Sequence, residues 1–314
     1  VSIVVPGTGR VTLALLAVAP AVIGYPWRTV PERWALGVAV GVMALLFGWW
    51  RGLHLTTIVR RRFGLLFGRR RLECGVPPAV TLTGTDARTT AVLRVIDGGH
   101  RGVPFDLIAG YLDRYGLRCD AVRVTSRDTP AGRTTWIGLT MSVAANLPAL
   151  QARSTKIPLR RTADLTARRL ADELRERGWA VTGTDLAVPD LLGSQAREHW
   201  RAVADGSSGF VAAYSIAVDT LPETLTALWS EGFDELWTAI EVSGGGLAAA
   251  CAIRTEALPG SKAPLDGLVV RAGTQWAALR ALAPESTTPL DAEVCPVTGP
   301  ALAHWSADGV AVPS

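Results

Sequence analysis

The chain reads as an α/β protein: two N-terminal transmembrane helices form a hairpin, and a cytosolic mixed sheet-and-helix domain follows. Three observations predict this. Two apolar runs, Val11–Trp27 and Trp34–Trp50, each hold 17 residues without a charge. Seven arginines and no acid then fall between Arg51 and Arg71. Beyond residue 71, strand-like and helix-like stretches interleave over 243 residues, enough to close a large core. Residues 1–10 are thus expected as a cytosolic tail, 11–50 as the hairpin, 51–71 as an Arg-rich juxtamembrane segment and 72–314 as the cytosolic domain.

At ~1.5 Å per residue each run covers about 26 Å, at the short end for a hydrocarbon core of ~30 Å. Tyr25, Trp27, Trp34, Trp49 and Trp50 lie where aromatic rings favour the headgroup boundary. The connection Arg28–Arg33 contains Pro31 and permits only a tight antiparallel hairpin. Cationic flanks stay cytoplasmic, so both termini and residues 72–314 are expected on the cytosolic side of the inner membrane. Ala17-Val18-Ala19 resembles a signal-peptide processing site, but the apolar run continues past it. Gly37 and Gly41 have the small-xxx-small spacing that lets membrane helices approach closely. In Leu53–Arg71, apolar residues alternate with Arg60, Arg61, Arg62, Arg69, Arg70 and Arg71. Such a segment can lie among anionic lipid headgroups, continue the second helix, or bind a partner.

In the soluble part, strands are expected at Ala79–Thr83, Ala91–Ile96, Ala121–Thr125, Thr135–Val143, Trp179–Gly183, Phe210–Ala217, Leu236–Val242, Leu247–Arg254 and Leu268–Arg271. The clearest helix is Ala163–Arg177, with Thr162 as cap, Leu165, Leu170 and Leu174 on one face, and Gly178 as terminator. Leu221–Glu231 and Thr274–Leu282 are further helices. Pro130–Arg133 and Ser243–Gly246 read as turns, and the stretch after Ala283 as a thin Ala-Pro-rich tail.

Charge divides along the same boundary. Residues 1–71 carry ten Arg and one Glu, a net +9, whereas residues 72–314 carry 22 basic and 27 acidic residues, a net −5. The basic excess suits a membrane surface, and nucleic-acid binding is not expected. Cys74, Cys119, Cys251 and Cys295 are too widely spaced for a metal site and are expected as reduced, buried residues.

Chemistry-bearing motifs are scarce. The lysines, Lys156 and Lys262, lack the glycines and hydroxyl of a phosphate loop. Gly206-Ser207-Ser208-Gly209 lacks nucleophile-elbow spacing, although Ser208 with His199 or His304 leaves a hydrolase open. His100 after Asp97-Gly98-Gly99 reads as a turn residue. No Asp-x-Asp pair is present; Asp291-Ala-Glu293 comes nearest, and Glu231, Asp234 and Glu235 read as a solvated face. Gly244-Gly245-Gly246 reads as a hairpin turn rather than a phosphate cradle. No catalytic residue, metal ligand or cofactor is expected. Trp136, Trp179, Trp200, Trp229, Trp237, Trp276 and Trp305 are expected mostly in the core, with one or two free to anchor a partner.

Several stretches together resemble the E component, EccE, of mycobacterial ESX (type VII) secretion systems. Thr134–Met141 with Asn146–Ala149 is similar to the family's first long strand and following turn. Thr166–Trp179 is similar to its Arg-Arg-Leu helix, and Val211–Tyr214, Leu225–Ser230 and Ala252–Arg254 to its later strand, helix and strand. Among paralogues the chain looks closest to that of the system tied to iron and zinc acquisition. The resemblance implies a core membrane subunit assembled with B, C and D components, the C component being the ATPase. It further implies a soluble fold similar to sugar-transferase-like domains without a recognised activity. The resulting expectation is a non-catalytic scaffold whose contacts with membrane and partners involve Gly37, Gly41, Trp49, Trp50, Arg60–Arg62 and Arg69–Arg71. The alternatives are a membrane-tethered transferase or hydrolase, marked by an open polar cleft, and a free-standing binding module.

Overall fold

A computed structural model describes residues 15–19, 22–23, 25, 29–47, 49–50, 53–54, 58–59, 61–62, 80–81, 87–97, 103–152, 157–183, 188–206 and 208–296. Expectations for most of the first apolar run and for Arg60, Arg69, Arg70, Arg71, Cys74, His100, Lys156, His304 and Trp305 lie outside the described residues. The chain divides into two units, Val1–Arg69 and Arg70–Ser314.

In the first unit residues 15–19 are helical, helix α1 spans Val30–Phe47, and strands β1 (Trp49–Trp50) and β2 (Leu53–His54) pair antiparallel. The helix expected at Trp34–Trp50 therefore starts earlier and stops sooner. Pro31 suits a first helical turn, so Pro31-Glu32-Arg33 join the helix instead of the loop. Gly48, a poor helix former, follows Phe47, and Trp49 and Trp50 stand in a strand. Among the described residues no helix is long and apolar enough to cross a membrane.

The second unit begins with β3 (Val80–Thr81) and β4 (Arg88–Asp97), then α2 (Phe105–Ala109), β5 (Asp113–Arg114), β6 (Leu117–Arg118), β7 (Ala121–Thr129) and β8 (Gly132–Ser142). It continues through α3 (Val143–Gln151), α4 (Leu159–Glu176), β9 (Ala180–Thr182), β10 (Ala196–Glu198), β11 (Val203–Asp205) and β12 (Phe210–Ile216). Last come α5 (Leu221–Ser230), β13 (Leu236–Ser243), β14 (Gly246–Thr255), β15 (Leu268–Val270) and α6 (Gln275–Leu282).

Eleven strands form one sheet in the order β10-β11-β12-β14-β13-β7-β8-β4-β3, with β15 also on β12 and β9 also on β4; every pairing is antiparallel. On one edge of β12, β11 covers Phe210–Val211 and β15 covers Tyr214–Ile216. The gap at Ala213 is filled by the buried amide of Gln275, whose Oε1 accepts from the Ala213 N–H at 2.7 Å while its Nε2 donates to the Ala213 carbonyl at 3.2 Å. A side chain thus stands in for a missing strand partner.

Side chains alternate between two faces, as the period of two demands. One face carries Leu93, Val122, Val124, Ile137, Leu139, Ile240 and Ile253 under α4 and α5. The helix expected at Ala163–Arg177 begins at Leu159, so Thr162 is buried rather than a cap. Leu165 points outward, and Ala163, Thr166, Ala167 and Ala171 let the helix lie close to the sheet. The other face carries Trp136, Trp237, Ala239, Ala248, Ala250 and Ala252 under α6 and Leu290. Alanine is a weak strand former, so the alanine run of β14 owes its strand to this close packing on both sides.

At the centre of the second face Arg123 stands opposite Glu241 in register. The pair is buried, with side chains 4% and 5% exposed. The Arg123 Nη1 donates to the carbonyls of Ala281 (2.5 Å), Ala283 (3.2 Å) and Ser286 (3.4 Å), and its Nη2 to Thr288 (2.6 Å) and Glu241. Glu241 in turn accepts the Leu290 N–H. Residues 283–290 are therefore a strap bound across the sheet, not the loose tail expected. Gly138, beside Arg123 in register, makes room for it: a Cβ there would lie 2.8 Å from the Pro284 carbonyl oxygen.

Two outcomes test this arrangement. Arg123→Met leaves a buried carboxylate and several carbonyls without their donor, and denaturant unfolding should show a loss of about 3–5 kcal/mol. Adding Glu241→Leu should not restore stability, because the strap carbonyls remain unpaired. Gly138→Ala meets backbone that cannot rotate away, and the same measurement should show a loss of about 1–3 kcal/mol.

Candidate functional site

On α1, Val30, Trp34, Gly37, Val38 and Gly41 follow helical i, i+4, i+7, i+8, i+11 spacing and are all exposed, Trp34 to 72%. A Cβ at Gly37 or Gly41 would meet nothing within 4 Å. The stripe is apolar, with a shallow notch at its glycines. Trp49 and Trp50 are in β1, while Arg61 and Arg62 lie in a helical stretch.

The cluster Glu231-Asp234-Glu235 is not a solvated face throughout. Glu231 and Asp234 are exposed, but Glu235 is buried. Its carboxylate accepts from Arg127 Nε (2.6 Å), Arg254 Nε (2.5 Å) and the Trp237 indole (3.0 Å). Arg254 Nη1 also donates to Asp205 (2.9 Å) and to the Ser208 carbonyl, and Asp205 accepts the Gly193 N–H at 2.6 Å. Arg127 lies 5.6 Å above the Trp237 ring, which stacks on Trp136 at 5.7 Å. These contacts fasten residues 191–208 to the sheet. Spacing alone did not reveal them, because Arg127, Glu235 and Arg254 meet only through the register of β7, β13 and β14.

Other expected chemistry resolves into packing. Asp291 pairs with Arg271 and accepts from Thr274, so it is engaged with chain rather than aimed at a cation. The His199 ring packs edge-on to Phe210, and the Ser208 N–H is held by the Asp205 carbonyl. Cys119 and Cys251 are free and buried, and Cys295 is free and half-buried. Burial, with Asp120 adding, pushes the Cys119 thiol up to about 12, and burial raises Cys251 too, which makes both poor nucleophiles. Among the described residues no three His, Cys, Asp or Glu side chains converge to hold a metal ion. Ser243–Gly246 closes the β13–β14 hairpin as a turn, and residues 146–149, expected as a turn, belong to helix α3.

Two concavities stand out on the second unit. One, of about 60 Å³, is lined by Val103, Phe105, Val124, Trp229 and Ile240, with Arg133 at 4.4 Å over the Trp229 ring. It holds no converging acids. The other, of about 280 Å³, is a shallow depression on α4 lined by Leu117, Leu165, Thr166, Arg168, Arg169 and Asp172. Beside it Arg114 and Arg169 each lie 5.1 Å from the Tyr115 ring centre, and the Tyr111 and Tyr115 hydroxyls both donate to Glu173 at 2.8 Å. Burial, then the Glu173 hydrogen bond, raises the Tyr111 hydroxyl's pKa.

Comparison with known proteins finds relatives of this sequence. Residues 129–216 match the family described as a putative type VII ESX secretion system translocon, EccE. That stretch includes β8, α3, α4 and β12. The ESX-3 secretion system protein EccE3 of Mycolicibacterium smegmatis is 42% identical over 311 residues, covering 96% of this chain and 95% of the relative. EccE3 of Mycobacterium tuberculosis is 44% identical over 300 residues, covering 91% of this chain and 88% of the relative.

Burial alone would raise the Glu235 pKa, but the Arg254 and Arg127 hydrogen bonds outweigh it and hold the carboxylate below its usual range. A depressed folded pKa contributes stability above the unfolded value, lost as pH falls through the folded one. Denaturation midpoints followed from pH 7 downward should therefore fall in acid. Glu235→Gln should lower the midpoint at pH 7 and flatten this acid limb.

Proposed function

Because this chain belongs to the EccE family of type VII ESX secretion components, we propose that it is a non-catalytic structural subunit of the secretion complex at the inner membrane, supporting assembly and stability of the channel. Two observations carry this reading: the apolar stripe on α1 is exposed among the described residues, and in the second unit the buried ionic groups are engaged in bracing the fold. Trp34, Val38, Gly37 and Gly41 present a face that water does not favour and that a neighbouring helix fits. In the complex, the apolar runs 11–27 and 34–50 pack beside partner membrane helices as a hairpin. Trp49, Trp50, Arg60–Arg62 and Arg69–Arg71 set its depth against anionic headgroups. Residues 72–314 form the cytosolic brace, and the natural neighbours are the B, C-type ATPase and D components.

A stable sheet held by a central arginine clamp suits a part that must transmit position rather than bind and release substrate. The Phe105–Trp229 concavity, lined by apolar residues with Arg133 and three hydroxyl side chains, is too small at about 60 Å³ for a sugar nucleotide.

Replacing both Gly37 and Gly41 by Leu fills the notch without adding charge. Affinity recovery of the tagged full chain after mild detergent extraction should then yield several-fold less of the large complex, with membrane insertion unchanged. Undiminished recovery with normal insertion would remove the helix-docking role.

A further inference from the structure

The outer face of α4 is rich in exposed arginine, within a sequence region whose overall balance is acidic. Arg161, Leu165, Arg168, Arg169 and Asp172 fall on a single stripe, again at i, i+4, i+7, i+8, i+11, and all are exposed. Neighbouring arginines are engaged: Arg160 with Asp164, Arg175 with Asp172, Arg114 with Glu173. Among the described residues, Arg161, Arg168 and Arg169 have no carboxylate partner.

Next to the stripe the surface is shaped. Leu117, buried, and Leu165, 43% exposed, give the 280 Å³ depression an apolar floor, and Arg168 and Arg169 form its rim. Tyr115 borders it, 55% exposed, between the guanidinium groups of Arg114 and Arg169. Tyr115 is the non-glycine residue with positive φ, +57°, among the described residues. That left-handed backbone, followed by Gly116 at +69°, turns its ring onto α4. The ring and Arg169 are thus preorganised, and binding there loses little side-chain entropy.

Building on the subunit reading, we propose that this face of α4, with Tyr115 at its border, docks an acidic segment of a partner protein, a stretch presenting carboxylates around one apolar side chain. Three unpaired arginines call for negative charge, and the apolar floor calls for a side chain seated between those charges. Bilayer headgroups fit less well, because they offer no apolar side chain to fill the depression between the guanidinium groups.

The test uses the full chain extracted in mild detergent, as wild type, R168E/R169E and R168Q/R169Q. The neutral pair serves if charge reversal disturbs folding, which thermal unfolding reports. The probes are a short labelled peptide with Glu and Leu at helical spacing, its Lys/Leu counterpart, and vesicles containing phosphatidylglycerol. Wild type should bind the Glu/Leu peptide in a salt-sensitive way and not the Lys/Leu peptide. The variants should bind about tenfold more weakly or worse with unchanged unfolding. Tagged R168E/R169E should also recover less of a subunit that wild type recovers. Equal peptide binding by wild type and variants, no peptide binding, or binding of vesicles alone would overturn the assignment. If wild type recovers partners and the variants recover the same set, the docking face is wrong and the subunit reading stands. If wild type recovers none, the subunit reading itself fails.

Discussion

The Arg123–Glu241 pair is the constraint on which the second unit turns. A buried arginine in the middle of a sheet is costly unless every donor is used, and here Glu241 and four carbonyls of residues 281–288 use them. The consequence is directional. The charge cannot stay buried without the strap, and the strap, poor in regular structure, cannot lie against an apolar sheet without donors for its carbonyls. Gly138 completes the bargain by removing the one Cβ that would hold the strap away. Residues 283–290 thereby become part of the packed structure.

The remaining sheet follows a related logic. At three places where ladder or helix pairing runs out, a side chain takes over. Gln275 spans the gap beside Ala213, and Asn146 pairs with both the N–H and the carbonyl of Arg118 at 2.8 Å. Ser142 accepts from the Ala145 N–H at the start of α3. Glu235 and Arg254 do for residues 191–208 what Arg123 does for the strap. Much of the buried polar chemistry in this unit therefore fixes chain against chain.

Two exposed helix faces share a geometry. On α1 and on α4 an exposed stripe at helical spacing carries residues that its own unit does not need for packing: apolar with glycines on the first, cationic around a leucine on the second.

All nine strands expected beyond residue 71 overlap observed strands, because short apolar runs bounded by turn residues are legible locally even where burial on both faces removes the polar–apolar alternation. The short strands β5, β6, β10 and β11 and the helices α2 and α3 were not among the expected elements; β5, β6 and β10 are half-polar segments without an apolar run. By itself the sequence determined the family, the order of the main elements and the division of charge at residue 71. Each of these is written in nearby residues or in totals. Only the tertiary structure decided that Glu235 is buried, that residues 283–290 cross the sheet, that Leu165 faces outward and that Arg168 and Arg169 stand unpaired. Those facts depend on strand register and helix rotation, which bring together groups more than a hundred residues apart and leave no trace in local spacing.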